Sequence, residues 1–99
     1  MRAIRVDLHV VPERRDQLVR QLATEADEVP GQFAGCLRYD VFVHPTDENR
    51  VLLYEEWTDG ASFDAYRTSE YFERSGEVLF PLIDGAPDSS YFDAERVGP

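Results

Sequence analysis

Ile4, Val6, Leu8 and Val10 alternate with Arg5, Asp7 and His9, a period of two that predicts a half-buried strand. Pro12 suits a first helical turn, where its missing N–H costs nothing. Leu18, Leu22, Ala26 and Val29 follow at spacings of three and four, predicting an amphipathic helix that Pro30-Gly31 ends. Leu37, Tyr39, Val41 and Val43 return to a period of two. The turn-forming stretch His44-Pro45-Thr46-Asp47-Glu48-Asn49 joins them to a third strand, Val51 to Trp57, so the pair reads as a hairpin. Thr58 is the predicted N-cap of a helix carrying Phe63 and Tyr66. Ser69 can cap a further helical stretch with Phe72, Leu79 and Phe80, which Pro81 must end or kink. Beyond the loop Asp84-Gly85-Ala86-Pro87-Asp88, residues Ser90 to Val97 offer a last, edge-like strand.

Strand, helix, strand, strand, helix, strand is the ferredoxin-like βαββαβ order, an α+β fold with helices on one face of a four-stranded antiparallel sheet. The alternation assigns Ile4, Val6, Leu8, Leu37, Tyr39, Val41, Leu53 and Trp57 to the helix side. Arg5, Asp7, His9, Arg38, Asp40, Phe42, Leu52, Tyr54, Glu56 and Tyr91 fall on the other face. Phe42, Leu52, Tyr54 and Tyr91 are too much apolar surface for open solvent, and a second copy of the sheet is the simplest cover. A homodimer is therefore expected.

At 99 residues the chain has room for one domain, spanning residues 1–99, and one modest core. The net charge of -10 argues against nucleic acid and anionic membrane partners, which need clustered cations. All ten basic residues are arginine, so Schiff-base chemistry and lysine-held cofactors are excluded. Cys36 is the single cysteine, which excludes an internal disulfide and a thiolate metal cage. Its expected role is a small buried hydrophobe. His9 and His44 stand alone, without the spacing of a metal pair, so no metal site is expected. Glu25, Asp27 and Glu28 near a helix C-terminus read as a solvated acidic face, and Asp47-Glu48 lie in a turn. No targeting segment and no apolar run of membrane length (~18–20 residues) is visible, and a cytoplasmic setting is expected.

Gly35-Cys36-Leu37-Arg38-Tyr39-Asp40-Val41, the Pro/Asp/Asn turn, Arg50-Val51-Leu52-Leu53-Tyr54-Glu55-Glu56-Trp57 and Phe63 resemble the antibiotic biosynthesis monooxygenase domain. The resemblance runs from Ala3 to about Ile83, and its most specific parts are Gly-Cys-x-x-Tyr opening one strand and Glu-x-Trp closing the next. It implies a dimeric α+β barrel, each subunit ferredoxin-like. The family's branches include cofactor-independent oxygenases of phenols, anthrones and quinols, haem-degrading enzymes, and isomerases of small sugars. Many relatives carry H-x-x-[ST]-x-H-[FY] on the second helical region; here it is Tyr66-Arg67-Thr68-Ser69-Glu70-Tyr71-Phe72, with tyrosine at both histidine positions. Anthrone-oxidising relatives share Trp57 but have asparagine at the Leu53 position and tyrosine at the Phe63 position. Haem degraders use a histidine in the second helical region, and none follows His44, which argues against haem.

The reaction this resemblance implies is oxidation of an electron-rich phenol, hydroquinone or anthrone by dioxygen to a quinone, with no cofactor and no metal. Trp57 is either a core residue at the sheet rim or a pocket wall whose indole N–H meets a substrate oxygen. Glu55 shares its face and is either paired with an arginine such as Arg67 or a general base of raised pKa. Tyr66 and Tyr71, five apart, share a face only if the helix breaks near Thr68-Ser69; their hydroxyls would then donate to a developing phenolate. Phe63, Phe72 and Leu53 would wall the pocket, and Arg38 or Arg67 would offset the substrate's negative charge. A non-oxygenase isomerase or cyclase of the same fold, and a dimeric binding module without catalysis, remain open.

Overall fold

In the computed structural model, which describes residues 1–98, the elements are β1 (Arg2–His9), α1 (Arg15–Gln32), β2 (Cys36–Val43), β3 (Arg50–Trp57), α2 (Gly60–Arg67), α3 (Glu70–Leu79) and β4 (Asp88–Asp93). A 3-10 turn at Phe80–Leu82 follows α3. The strands form one antiparallel sheet in the order β2-β3-β1-β4, which is the ferredoxin-like arrangement with β4 on an edge. Ile4, Leu8, Leu53 and Trp57 point from the sheet into a core completed by Leu18, Leu22 and Val29 of α1 and Phe63 and Tyr66 of α2. Among the described residues no helix is long and apolar enough to cross a membrane.

Two face assignments change. A bulge between Cys36 and Arg38 takes Leu37 out of register, so Cys36 is buried and Leu37 is 56% exposed. Tyr91 pairs with Ile4 and therefore lies on the helix side, where its ring sits 5.7 Å from that of Phe63. Phe92, opposite Ala3, takes the place foreseen for Tyr91 on the open face, and with Phe42 it is half exposed there.

The helix boundaries also move. Pro12 lies in a turn, not in a helix. Val10 N–H bonds to the Asn49 carbonyl at 2.8 Å and Val11 N–H to that of Leu82 at 3.0 Å, holding the chain extended past β1. Glu13 then adopts φ 71, and α1 begins only at Arg15. Pro30 sits inside the last turn of α1, which runs on to Gln32 because Phe33 N–H still reaches the Val29 carbonyl at 2.8 Å. The cap of α2 is Asp59, whose Oδ1 accepts from Ser62 N–H at 2.7 Å. Thr58 is displaced from that role because its N–H still bonds to the Gly35 carbonyl at 2.9 Å. Ser69 does cap α3, accepting from Phe72 N–H at 3.1 Å.

Gly35 is held against the start of α2. A Cβ there would run into the Ser62 side chain and lie 3.1 Å from Thr58 Oγ1. Gly35→Ala is expected to lower stability by about 1–3 kcal/mol, read from a shift of the urea midpoint at constant slope.

Candidate functional site

The cap at Ser69 breaks the second helical region into α2 and α3, and the break opens space between α3 and the sheet. A cavity of about 490 Å³ lies there. That is the size range of small-molecule sites. Ile4, Val6 and Leu53 form its floor, Phe63 and Tyr66 one wall, and Phe72, Leu79 and Phe80 the wall toward solvent. No residue of α3 is fully buried; Phe72 and Leu79 line this cavity, while Tyr71 and Leu79 also pack in part against the core.

Two carboxyl groups reach into this apolar space, Glu55 from β3 and Glu25 from α1. They are 4% and 1% exposed. Alternation along β3 puts Glu55 on the inner face between Leu53 and Trp57. No arginine pairs with it; Trp57 Nε1–H donates to its Oε1 at 2.9 Å, and its other oxygen accepts no hydrogen bond among the described residues. Burial pushes its pKa up from 4.5 to about 7, against the Trp57 hydrogen bond, which pulls it down; nearby Glu25 adds to the rise. Ser75 Oγ donates to Glu25 Oε1 at 2.6 Å and Gln21 Nε2 to its Oε2 at 3.2 Å. Burial raises the Glu25 pKa more than these two bonds lower it.

Trp57 is not at a rim. It is fully buried, its N–H is taken by Glu55, and it lies behind the cavity wall. Tyr66 stacks on it, centroids 5.0 Å apart and planes at 24°, and presents itself to the cavity in its place. Phe33 closes this aromatic cluster edge-on, 5.2 Å from Tyr66 and 6.0 Å from Tyr71. The helix break does bring Tyr66 and Tyr71 together, at 6.5 Å between centroids. The Tyr71 hydroxyl, however, donates to Glu28 Oε1 at 3.1 Å in a separate, polar depression outside the cavity. Burial, followed by the Glu55 and Glu25 charges, holds the Tyr66 phenol above its ordinary pKa. Tyr39, also on the cavity lining, is shifted the same way by burial.

The other sequence candidates divide. Phe63, Phe72, Leu53 and Arg67 line the cavity, with the Arg67 guanidinium 5.9 Å from the ring centre of Tyr91. Arg38 is on the opposite face of the sheet, 3.5 Å from Asp40 and 3.9 Å from Glu56, and touches none of this. Cys36 is buried, which lifts its thiol pKa to about 11. His44 Nδ1 accepts the Thr46 and Asp47 N–H groups in the hairpin turn, at 3.2 and 2.9 Å. Among the described residues no three His, Cys, Asp or Glu side chains are grouped to hold a metal ion.

Glu25 is the site residue that reading the acidic run as a solvated face missed. Its position carried a signal. It is seven residues after Leu18, three after Leu22 and four before Val29, which puts it on the buried stripe of α1.

The fold is a ferredoxin-like sheet with a partly open, largely apolar cavity under its helices. The antibiotic biosynthesis monooxygenase family matches residues 1–77, and the chain belongs to that family. Solved structures share the whole fold. An antibiotic biosynthesis monooxygenase is 24% identical with a TM-score of 0.84, the match covering 97% of this chain and 100% of the other. A candidate antibiotic biosynthesis monooxygenase from Caulobacter crescentus is 23% identical with a TM-score of 0.88, covering 96% and 90%. One from Deinococcus radiodurans is 18% identical with a TM-score of 0.86, covering 100% and 97%. No curated protein sequence matches the chain.

Proposed function

We propose that this protein is a cofactor-independent monooxygenase that converts an electron-rich phenol, hydroquinone or anthrone to a quinone with dioxygen. The observation that carries this reading is Glu55, a buried carboxyl group on the lining of an aromatic-walled cavity with a pKa of about 7. A base is most effective when its pKa lies near the working pH. Glu55 takes a proton from the bound ring, and the resulting anion is electron-rich enough to reduce dioxygen. The radical pair recombines to a hydroperoxide. For an anthrone the methylene carbon loses both hydrogens and gains one oxygen atom, and the second oxygen atom leaves as water. A phenol balances the same way at its para C–H. 1,4-Dihydroxynaphthalene oxygenated at a ring C–H gives the hydroxynaphthoquinone and water, whereas release of hydrogen peroxide with the unsubstituted quinone would be simple dehydrogenation. In this reading Phe63, Phe72 and Leu53 hold the flat ring and exclude water, and Tyr66, on the same lining, donates a hydrogen bond to the developing oxyanion. Trp57 acts through Glu55 rather than on the substrate. Oxygen-electrode assays with anthrone and 1,4-dihydroxynaphthalene test the reading: uptake above the buffer rate with matching quinone formation is expected, and uptake equal to buffer across the panel ends it.

The working unit in this reading is a homodimer. On the open sheet face Phe42 pairs with Leu52, Tyr54 lies two residues further along β3, and Phe92 stands on the far edge strand, with Arg5, Asp7 and Glu56 on the central strands between them. Burying such a patch against its own copy removes it from water at roughly 25 cal/mol per Å². Sedimentation equilibrium at micromolar concentration should give about twice the chain mass of 11.4 kDa. A monomer mass there refutes it, and Phe42→Asp should produce one.

A further inference from the structure

The two buried acids pose a question that the proposed reaction leaves unanswered. Buried carboxyl groups in folded proteins are ordinarily matched by a cation or a metal. Here Glu25 accepts from Ser75 and Gln21, with the Tyr39 hydroxyl also beside it, and Glu55 accepts from Trp57, all neutral donors. None of the ten arginines is buried, and none lies within ion-pair distance of either group among the described residues. Arg67, the single arginine on the cavity lining, is exposed and lies over Tyr91 instead. Glu73 and Glu77 of α3 add two more carboxylates to the lining. The rest of the lining is mainly aromatic and aliphatic, with Ser75 and Ser89 among it, and the ring faces of Phe63, Tyr66 and Phe72 attract cations.

From this arrangement we infer that the cavity takes an aromatic ligand bearing a protonated amine, with the ring between Phe63, Tyr66 and Phe72 and the ammonium group facing Glu25 and Glu55. The inference rests on the cavity being the substrate site and narrows the substrate to its aminoalkyl members. An ammonium group offers three donors to carboxyl oxygens that the protein leaves without a cation. It also removes an electrostatic obstacle to the proposed chemistry. Turning a phenol into its anion inside a protein of net charge -10 is unfavourable, and a tethered positive charge on the substrate offsets it. A carboxylate-bearing ring meets four acids and is excluded.

Three naphthalene probes of nearly equal shape separate charge from fit: 2-(2-naphthyl)ethylamine, 2-(2-naphthyl)ethanol and 2-naphthylacetate. Calorimetric titration of the full chain at pH 7.5 should show the amine binding about tenfold or more tighter than the alcohol. The acetate should bind weakest. Glu25→Gln and Glu55→Gln each keep the side chain's shape, and each should bring amine and alcohol to within about threefold of one another, chiefly by weakening the amine. Melting curves of both variants establish that they fold. Equal binding of amine and alcohol to the wild type, preference for the acetate, or no binding of any probe overturns the inference. Oxygen uptake on amine-free hydroquinones with equal probe binding would sink this inference and leave the oxygenase reading standing. Amine preference without oxygen uptake on any aminoalkyl phenol would do the reverse.

Discussion

Glu55→Gln is expected to lower turnover by about 10²–10⁴-fold and at the same time to raise the melting temperature at pH 8. The first effect is the loss of the base, since an amide cannot accept the ring proton. The second follows from proton linkage. Burial raises the Glu55 pKa from 4.5 to about 7. Between those values the folded chain holds a proton that the unfolded chain releases, so stability falls as pH rises through this window. The contribution is fully present below pH 4.5 and lost above about 7. At pH 8 the ionised group costs on the order of 3 kcal/mol, and glutamine removes that cost while its carbonyl still accepts the Trp57 N–H. Thermal melts at pH 4 and pH 8 check this: near-equal values at pH 4 and a higher value for the variant at pH 8. A variant that melts lower at pH 8 and keeps its turnover would show that Glu55 is neither the base nor a strained acid.

Trp57→Phe should move the acid limb of the pH–rate profile upward, because the indole N–H is what holds the Glu55 carboxyl down against burial. Turnover at pH 7 falls, and raising the pH recovers it. Phenylalanine keeps most of the ring contact with Tyr66 and Phe63, so the stability cost should be about 1–2 kcal/mol. A donor acting directly on a substrate oxyanion would behave otherwise. Its removal would cost ~10²-fold or more at every pH. The profile therefore distinguishes a positioning tryptophan from a catalytic one, and a loss independent of pH would refute the geometry described for Trp57.

The strands were legible because one face of each is buried, and burial writes a period of two into the chain. The exceptions have local causes. Leu37 belongs to the same alternating run as Tyr39, but one extra residue at the bulge reverses its direction, and a bulge leaves no mark in a hydrophobic pattern. Tyr91 was misplaced because its face depends on register with β1, which is a long-range property. Helix ends failed where a backbone bond from elsewhere outweighed a local preference, as at Pro12 and Thr58. In the site, Glu55, Tyr66, Phe63, Phe72 and Leu53 could be read from strand phase and family likeness. Glu25 could have been read from its place on the α1 stripe, but charge composition argued the other way. The orientation of the Trp57 N–H, turned onto Glu55, and of the Tyr71 hydroxyl, turned to Glu28, lies in rotamers that no spacing encodes.

No residue of α3 is fully buried; Tyr71 and Leu79 pack against the core only in part, so α3 carries less hydrophobic energy than α1. It is held by the Ser69 cap, by buried Leu82 in the 3-10 turn, and along its length by Ser75 on Glu25 and Tyr71 on Glu28. Such a segment opens by itself at a small fraction of the free energy needed to unfold the sheet. A ligand against Phe72 and Leu79 adds apolar contact to α3, so occupancy is expected to hold this helix more firmly against the sheet, and because Ser75 travels with α3 the hydrogen bonding of Glu25 is coupled to the position of the helix.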